Sequence, residues 1–306
     1  MNPPLLLPAI LALLVPLVSA ANEEDLLSPP IVTAKAWAIA DGKTGELLWS
    51  LHADEPRKSA STTKIMCAYT VLLLAEKQPA VLDEWVTFSQ LAGTTAGTSA
   101  TIKPGESAQV RECLYGLLLP SGNDAGNALA EHFHPRLDPP DEEMLAAGLS
   151  TPLLGTRVNF IAEMNRVARR IGLGHTVYRS AFGDGGTPQD RTTTARDLCR
   201  LAWTAMQSAA FRGYVCTQRH EALVRLADGS ARQAIWENSN KLLALDLGYD
   251  GVKTGITNEA GNCLVASGHR AGDHLYVVVL GCDSDAGRFA DARNLFRWAW
   301  LERAKR

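Results

Sequence analysis

The 306-residue chain reads as an α+β protein. One antiparallel sheet is built from both chain ends with helices on its faces, and a mostly helical subdomain is inserted between them. Three observations predict this. Near the start, apolar segments 36–40 and 47–51 flank the turn signal Asp41-Gly42, a hairpin pattern. A long central region carries helical periodicity. After residue 250 the period becomes strand-like in "DGVKTGIT", "NCLVASG" and "HLYVVVLGC", with Gly or Asn breaks between, and a helix over roughly 288–304 closes the chain.

Each element follows in order. "MNPPLLLPAILALLVPLVSA" is apolar from Leu5 to Val18 and ends in Val18-Ser19-Ala20. It reads as a signal peptide over 1–20, cut after Ala20, of an exported protein. Its first residues lack Lys and Arg, which leaves an uncleaved anchor as the other reading. Residues 21–306 read as a single domain. After the hairpin, "KSASTTKIMCAY" (58–69) opens a run that is hydrophobic nearly all round, as a central buried helix should be. "TSATIKPGESAQVRECLYGLLLPSGNDAGNALAEHF" predicts a short extended segment, a Pro104-Gly105 turn, a helix near 108–118, a break at Pro120-Ser121-Gly122 and another helix. Residues 135–156, rich in proline and acids, read as a loop insertion. "NFIAEMNRVARRIGLG" ends in a glycine stop, and "TTTARDLCRLAWTAM" opens on threonine capping signals.

Composition excludes several function classes. A net charge of −3, with no basic block and no aromatic–basic stripe, provides no footprint for nucleic acid. The six cysteines, Cys67, Cys113, Cys199, Cys216, Cys263 and Cys282, form no C-x-x-C pair, and most sit in apolar runs as small buried side chains. Export permits one disulfide. Among seven histidines the one close pair, His132 and His134, has no carboxylate framework. No metal and no cofactor is predicted.

Lys64 is the anomaly, because lysine is among the side chains least often buried unless paired. If Ser61 lies in the first turn, Lys64 at i+3 shares its face and the ammonium can meet the hydroxyl. The helix N-terminus favours charge on an attacking oxygen. Desolvation lowers a lysine pKa, which would let Lys64 take the serine proton. That is Ser–Lys nucleophilic catalysis. Two companions strengthen it: Ser121-Gly122-Asn123 in the break between helices, and Lys253-Thr254-Gly255 on a strand, where the glycine would let a substrate backbone approach. A second K-T-G, Lys43-Thr44-Gly45, falls in the hairpin turn and serves chain reversal. The three elements in this order are the motif set of penicillin-binding proteins and class A β-lactamases.

With "GTSATIKPGE", "LYGLLLPSGNDAGNALAEH", "NSNKLL" and "GYDGVKTGITNEAGNCLVAS", the chain resembles the secreted D-alanyl-D-alanine carboxypeptidases across roughly residues 30–300. These are low-molecular-mass penicillin-binding proteins with the β-lactamase/transpeptidase-like fold. The resemblance implies that Ser61 attacks the carbonyl between the two terminal D-alanines of a peptidoglycan stem peptide, with Lys64 as base. The backbone N–H groups of Ser61 and Ile256 would form the oxyanion hole. Ser121 would relay a proton to the leaving D-alanine, and Lys253 would hold Ser121 and the local charge. Asn123 would bond the substrate amide or Lys64. Thr254 and Gly255 would line the substrate strand, and Thr254 with Arg288 would grip the terminal carboxylate. Stem peptides and β-lactams are thus the implied partners, on the periplasmic or cell-wall side of the membrane.

Departures from the family pattern are also legible. The 132 residues from Ser121 to Lys253 (253 − 121) exceed the usual gap, and the excess is assigned to 135–156, which would border the cleft. Ile256 stands where the family often has a histidine or aromatic. "SAFGDGG" is a loose version of an Asn-Pro-x-Gly-Leu loop. No β-rich C-terminal domain or terminal anchor is expected after the closing helix. That helix is amphipathic and basic, so a membrane surface could receive it, but packing of Phe289, Leu295, Phe296 and Trp300 on the sheet is the expectation. The competing functions are a β-lactamase, for which no Glu-x-x-Leu-Asn pattern appears between 124 and 252, a D,D-endopeptidase, and a non-catalytic wall-binding or β-lactam-sensing module.

Overall fold

The first hairpin forms as its turn chemistry dictates. β1 (Ala36–Asp41) and β2 (Leu47–Leu51) pair antiparallel. The Asp41 carboxylate accepts from the amides of Lys43 and Thr44 at 2.7 and 2.8 Å, a side chain bonding its own turn. Lys43-Thr44-Gly45 therefore belongs to the turn, as expected. The computed structural model describes residues 28–150, 155–183, 193–245 and 247–305. Residues 1–20, expected to be a signal peptide, and residues 184–186 of "SAFGDGG" lie outside these.

Three strands from the other end complete the sheet: β7 (Tyr249–Thr257), β8 (Gly261–Arg270) and β9 (Asp273–Cys282). The order is β2-β1-β9-β8-β7, antiparallel throughout, so both chain ends meet where β1 pairs with β9. Period-two alternation sorts β1 between two cores. Trp37 and Ile39 face the closing helix, α9 (Asp285–Ala304), whose Phe289, Leu295, Phe296, Ala299 and Trp300 are buried against Leu264, Val277 and Val279. The expectation that these side chains pack on the sheet holds. Ala36, Ala38 and Ala40 face the helical body.

The middle of that body is α1 (Lys64–Lys77), entered through a 3-10 turn at Ala60–Thr63. Burial reaches nearly every side of its first two turns, from Ile65 through Leu72. Around it stand α3 (Val110–Leu118), α4 (Asn123–Phe133) with the short α2 (Gln90–Gly93) against it, α6 (Val158–Arg170), α7 (Ala195–Ala205) and α8 (Ala209–Cys216). The Thr194 hydroxyl caps α7, accepting from the Asp197 amide at 3.1 Å, as the threonine run predicted.

Two features differ from the sequence reading. The strand in the 98–109 region is β4 (Ser107–Gln109), after the Pro104-Gly105 turn rather than before it. It belongs to a second sheet, order β3-β4-β5-β6, with β3 (Trp85–Thr87), β5 (Arg219–Arg225) and β6 (Ala231–Glu237). The β5–β6 hairpin buries only Ala222, Val224, Ala234 and Trp236, too few apolar positions to stand out among its charged neighbours. Within 135–156, α5 (Glu142–Ala146) and its approach lie on α6. Arg166 donates to the carbonyls of Asp138 and Pro139, and Arg169 to Glu143 and Asp141.

Candidate active site

The 3-10 turn determines how the first motif is presented. Its three-residue period eclipses i and i+3, so Ser61 and Lys64 stand one above the other. Lys64 Nζ donates to Ser61 Oγ at 2.8 Å. Ala60, just before the serine, holds φ at +45°. Two glycines make room for this bend. A Cβ on Gly183 would lie 1.8 Å from the Ala60 carbonyl oxygen. One on Gly255 would meet Ala60 Cβ, Ser59 O and Ser61 N at 3.2 Å each. The Gly255 approach expected for a substrate backbone is thus first an approach of β7 to the serine's own turn.

Ser121-Gly122-Asn123 occupies the break between α3 and α4. Ser121 has φ +67°, a left-handed conformation that costs a non-glycine residue roughly 1–2 kcal/mol. Neighbours enforce it: Thr98 Oγ1 donates to the Ser121 carbonyl, and the amides of Gly122 and Asn123 reach Gly116 O and Thr98 O at 2.9 and 2.8 Å. A Cβ on Gly122 would stand 2.6–2.8 Å from three polar atoms, so only glycine fits between. The bend brings Ser121 Oγ to 3.3 Å and Asn123 Oδ1 to 2.6 Å from Lys64 Nζ. Asn123 Nδ2 is anchored on the Ala96 carbonyl at 2.8 Å, which orients its oxygen toward the lysine. Lys64 and Asn123 are fully buried, and Ser61 and Ser121 keep 6% exposure each.

Lys253 and Thr254 lie on β7 beside this cluster. Lys253 Nζ donates to Thr254 O at 3.0 Å and to its Oγ1 at 3.4 Å. No hydrogen bond joins it to Ser121 among the described residues. Burial holds its pKa well below the lysine range, and the charges of Lys64 and Arg288 push the same way. Thr254 Oγ1 also meets Ser239 Oγ at 2.6 Å. Ser239 was missed as a site residue, although "NSNKLL" was singled out as a block.

Arg288, at the start of α9, donates to the Gly255 carbonyl at 2.9 Å and pairs with Asp285. At 5% exposure it braces the strand from behind rather than opening to solvent. Ile256 next to it is 55% exposed. All six cysteines are unpaired, and five are buried.

A model of the D-alanyl-D-alanine carboxypeptidase family of serine peptidases matches residues 23–135 and 144–284, passing over 136–143 inside the expected insertion. The chain belongs to this family. The D-alanyl-D-alanine carboxypeptidase of Streptomyces sp. strain K15 is 32% identical over 288 residues, 92% of each chain. The carboxypeptidase DacC of Escherichia coli K12 is 29% identical over 95% of this chain and 67% of its own. The crystal structure of the Streptomyces K15 DD-transpeptidase superposes with a TM-score of 0.78 at 32% identity, covering 90% of this chain and 99% of that one. The carboxypeptidase chain described here accordingly has the β-lactamase/transpeptidase-like fold expected from its sequence, and it is a serine peptidase.

Proposed function

We propose that this enzyme removes the terminal D-alanine from peptidoglycan stem peptides through an acyl-enzyme on Ser61, and that β-lactams acylate the same oxygen. One observation carries the reading: a buried lysine joined to two hydroxyls and an amide oxygen. Neutral Lys64 takes the Ser61 proton as Oγ bonds to the carbonyl carbon between the two D-alanines. The three donors of the resulting ammonium then match three oxygens, Ser61, Ser121 and Asn123, so the observed geometry suits the state after transfer. The amides of Ser61 and Ile256 receive the oxyanion. Ser121 gives its proton to the leaving amine as the C–N bond breaks and takes one from the Lys64 ammonium, which leaves Lys64 neutral again. Water, deprotonated by Lys64, cleaves the ester and frees Ser61.

The Lys253–Thr254 side of the cluster suits an anion. Lys253 and Arg288 put two basic groups behind the Thr254 hydroxyl, and the hydrogen bonds of Lys253 end on neutral oxygens. Thr254 bonds the terminal carboxylate directly. Arg288 acts through its charge and its hold on Gly255. The segment 1–20 directs export, placing the enzyme on the cell-wall side. No described helix is long and apolar enough to cross a membrane.

The test is D-alanine release from a synthetic peptide ending in D-Ala-D-Ala. Release should vanish in Ser61→Ala; release that persists there would overturn the assignment of the nucleophile. The Streptomyces K15 relative is a DD-transpeptidase, which favours a second reading for the acyl group. Adding an amine acceptor distinguishes it: a transfer product exceeding the hydrolysis product would make transpeptidation the main reaction.

A further inference from the structure

We propose a divalent transition-metal site outside the catalytic cleft, held by Asp250, His269 and His274 where β7, β8 and β9 run side by side. Each residue offers a ligand atom, and the three atoms lie within 4.8 Å of one another. The sheet itself assembles them. His269 and His274 are directly opposed partners in the β8–β9 ladder, with rings stacked at 3.9 Å. Asp250 arrives through a bulge: Tyr249 pairs with Gly268 and Gly251 with Ser267, leaving Asp250 as the extra residue on β7. Bulges re-aim side chains, and here the aim is at the histidines, with Asp250 Oδ2 3.0 Å from His269 Nε2.

A plain His–Asp ion pair leaves one observation unexplained. Asp250 Oδ1 is buried and has no hydrogen-bond partner, and an uncompensated carboxylate oxygen removed from water is costly. A cation repairs this. Two imidazoles and one carboxylate are the donor set of borderline ions such as Zn2+, with the fourth position open to water. Bonds of about 2.0–2.1 Å put tetrahedral ligands roughly 3.4 Å apart. The Asp250–His269 pair, at 3.0 Å, is within a few tenths of an ångström of that spacing. His274 is the third ligand, reached as the half-exposed His269 and Asp250 close on it, and the cation replaces the Ser267 hydroxyl now 2.9 Å from His274 Nε2. Three residues at about 3.3 Å each separate Asp250 from Lys253, so the ion would sit about 10 Å from Lys253 and clamp three strands together.

The experiment is calorimetric titration of the metal-stripped protein with ZnCl2, alongside Co2+ absorption and thermal unfolding. One equivalent should bind. Saturation at about 100 times Kd should raise the melting midpoint by about 5 °C. Mg2+ and Ca2+, which prefer all-oxygen sites, should do neither. His269→Ala and Asp250→Asn should each weaken Zn2+ binding at least tenfold and remove the Co2+ bands, while penicillin labelling of Ser61 continues and reports a folded enzyme. Absence of a binding heat in the unaltered protein would overturn the proposal. So would unchanged affinity in both variants, which would place the zinc elsewhere, for example on the exposed Cys216.

Discussion

Ser61 and Lys64 form a unit whose parts are not interchangeable. The lysine stays in place through three bonds to neutral oxygens, and the serine stays near it through the eclipsed 3-10 turn. General-base assistance is worth 10²–10⁴-fold in typical enzymes. Lys64→Met should therefore slow acylation by a fluorescent penicillin by about 10³-fold while the circular dichroism spectrum is retained; a loss under tenfold would move the base elsewhere. Lys253 makes a separate prediction about pH. Its pKa in the folded state is depressed, while in the unfolded chain it titrates near the ordinary 10.5. Between those values the unfolded state binds more protons, so stability rises with pH there. The penalty of the buried charge is fully present below the folded value. Lys253→Gln should flatten this rise in urea unfolding curves recorded at a series of alkaline pH values. An unchanged slope would show that another group carries it.

At the scale of elements, the site depends on close approaches. Gly183, Gly255 and Gly172 rank themselves by what a methyl group would meet. At Gly183 the methyl overlaps a backbone oxygen at 1.8 Å, and φ is +94°, so the Ala60–Ser61 bend must move. At Gly255 it presses three atoms by a few tenths of an ångström. At Gly172 it meets nothing, and only the φ of +80° costs, about 1 kcal/mol. Acylation rates should therefore fall most in Gly183→Ala, by at least about 10²-fold given the sensitivity of catalysis to a 1 Å misplacement, less in Gly255→Ala, and not at all in Gly172→Ala. Equal rates in all three would show that the bend is not held by these contacts. The sequence showed such relations unevenly. Ser61 to Lys64 is a local spacing, and the Asp41 turn and Thr194 cap are local chemistry, so all were readable. The left-handed Ala60 and Ser121 were not, because neighbours impose those conformations on residues with no intrinsic preference for them. The Ser239–Thr254 bond, the Gly255–Arg288 bond and the Asp250–His269–His274 group depend on strand register and on how distant segments pack.

For the whole molecule, the two-sided sheet links stability to chemistry. α9 covers one face with Phe296 fully buried, and the same helix sends Arg288 to the carbonyl of Gly255 on the catalytic strand. Phe296→Ala should cost about 3–5 kcal/mol in urea unfolding, the usual price of emptying a buried phenylalanine site, and should lower acylation only as far as it lowers the folded fraction. The fold class was legible because both chain ends carry period-two patterns around a helical middle. The second sheet escaped because its hairpin is half exposed, so that its few buried residues are small or isolated.

The most direct test of the central claim is the site of acylation. Intact-mass and peptide-mapping spectrometry after incubation with benzylpenicillin should find one penicilloyl group, on the peptide containing Ser61, and none on the Ser61→Ala protein. An adduct on a different residue, or an unmodified enzyme at saturating penicillin, would contradict the account.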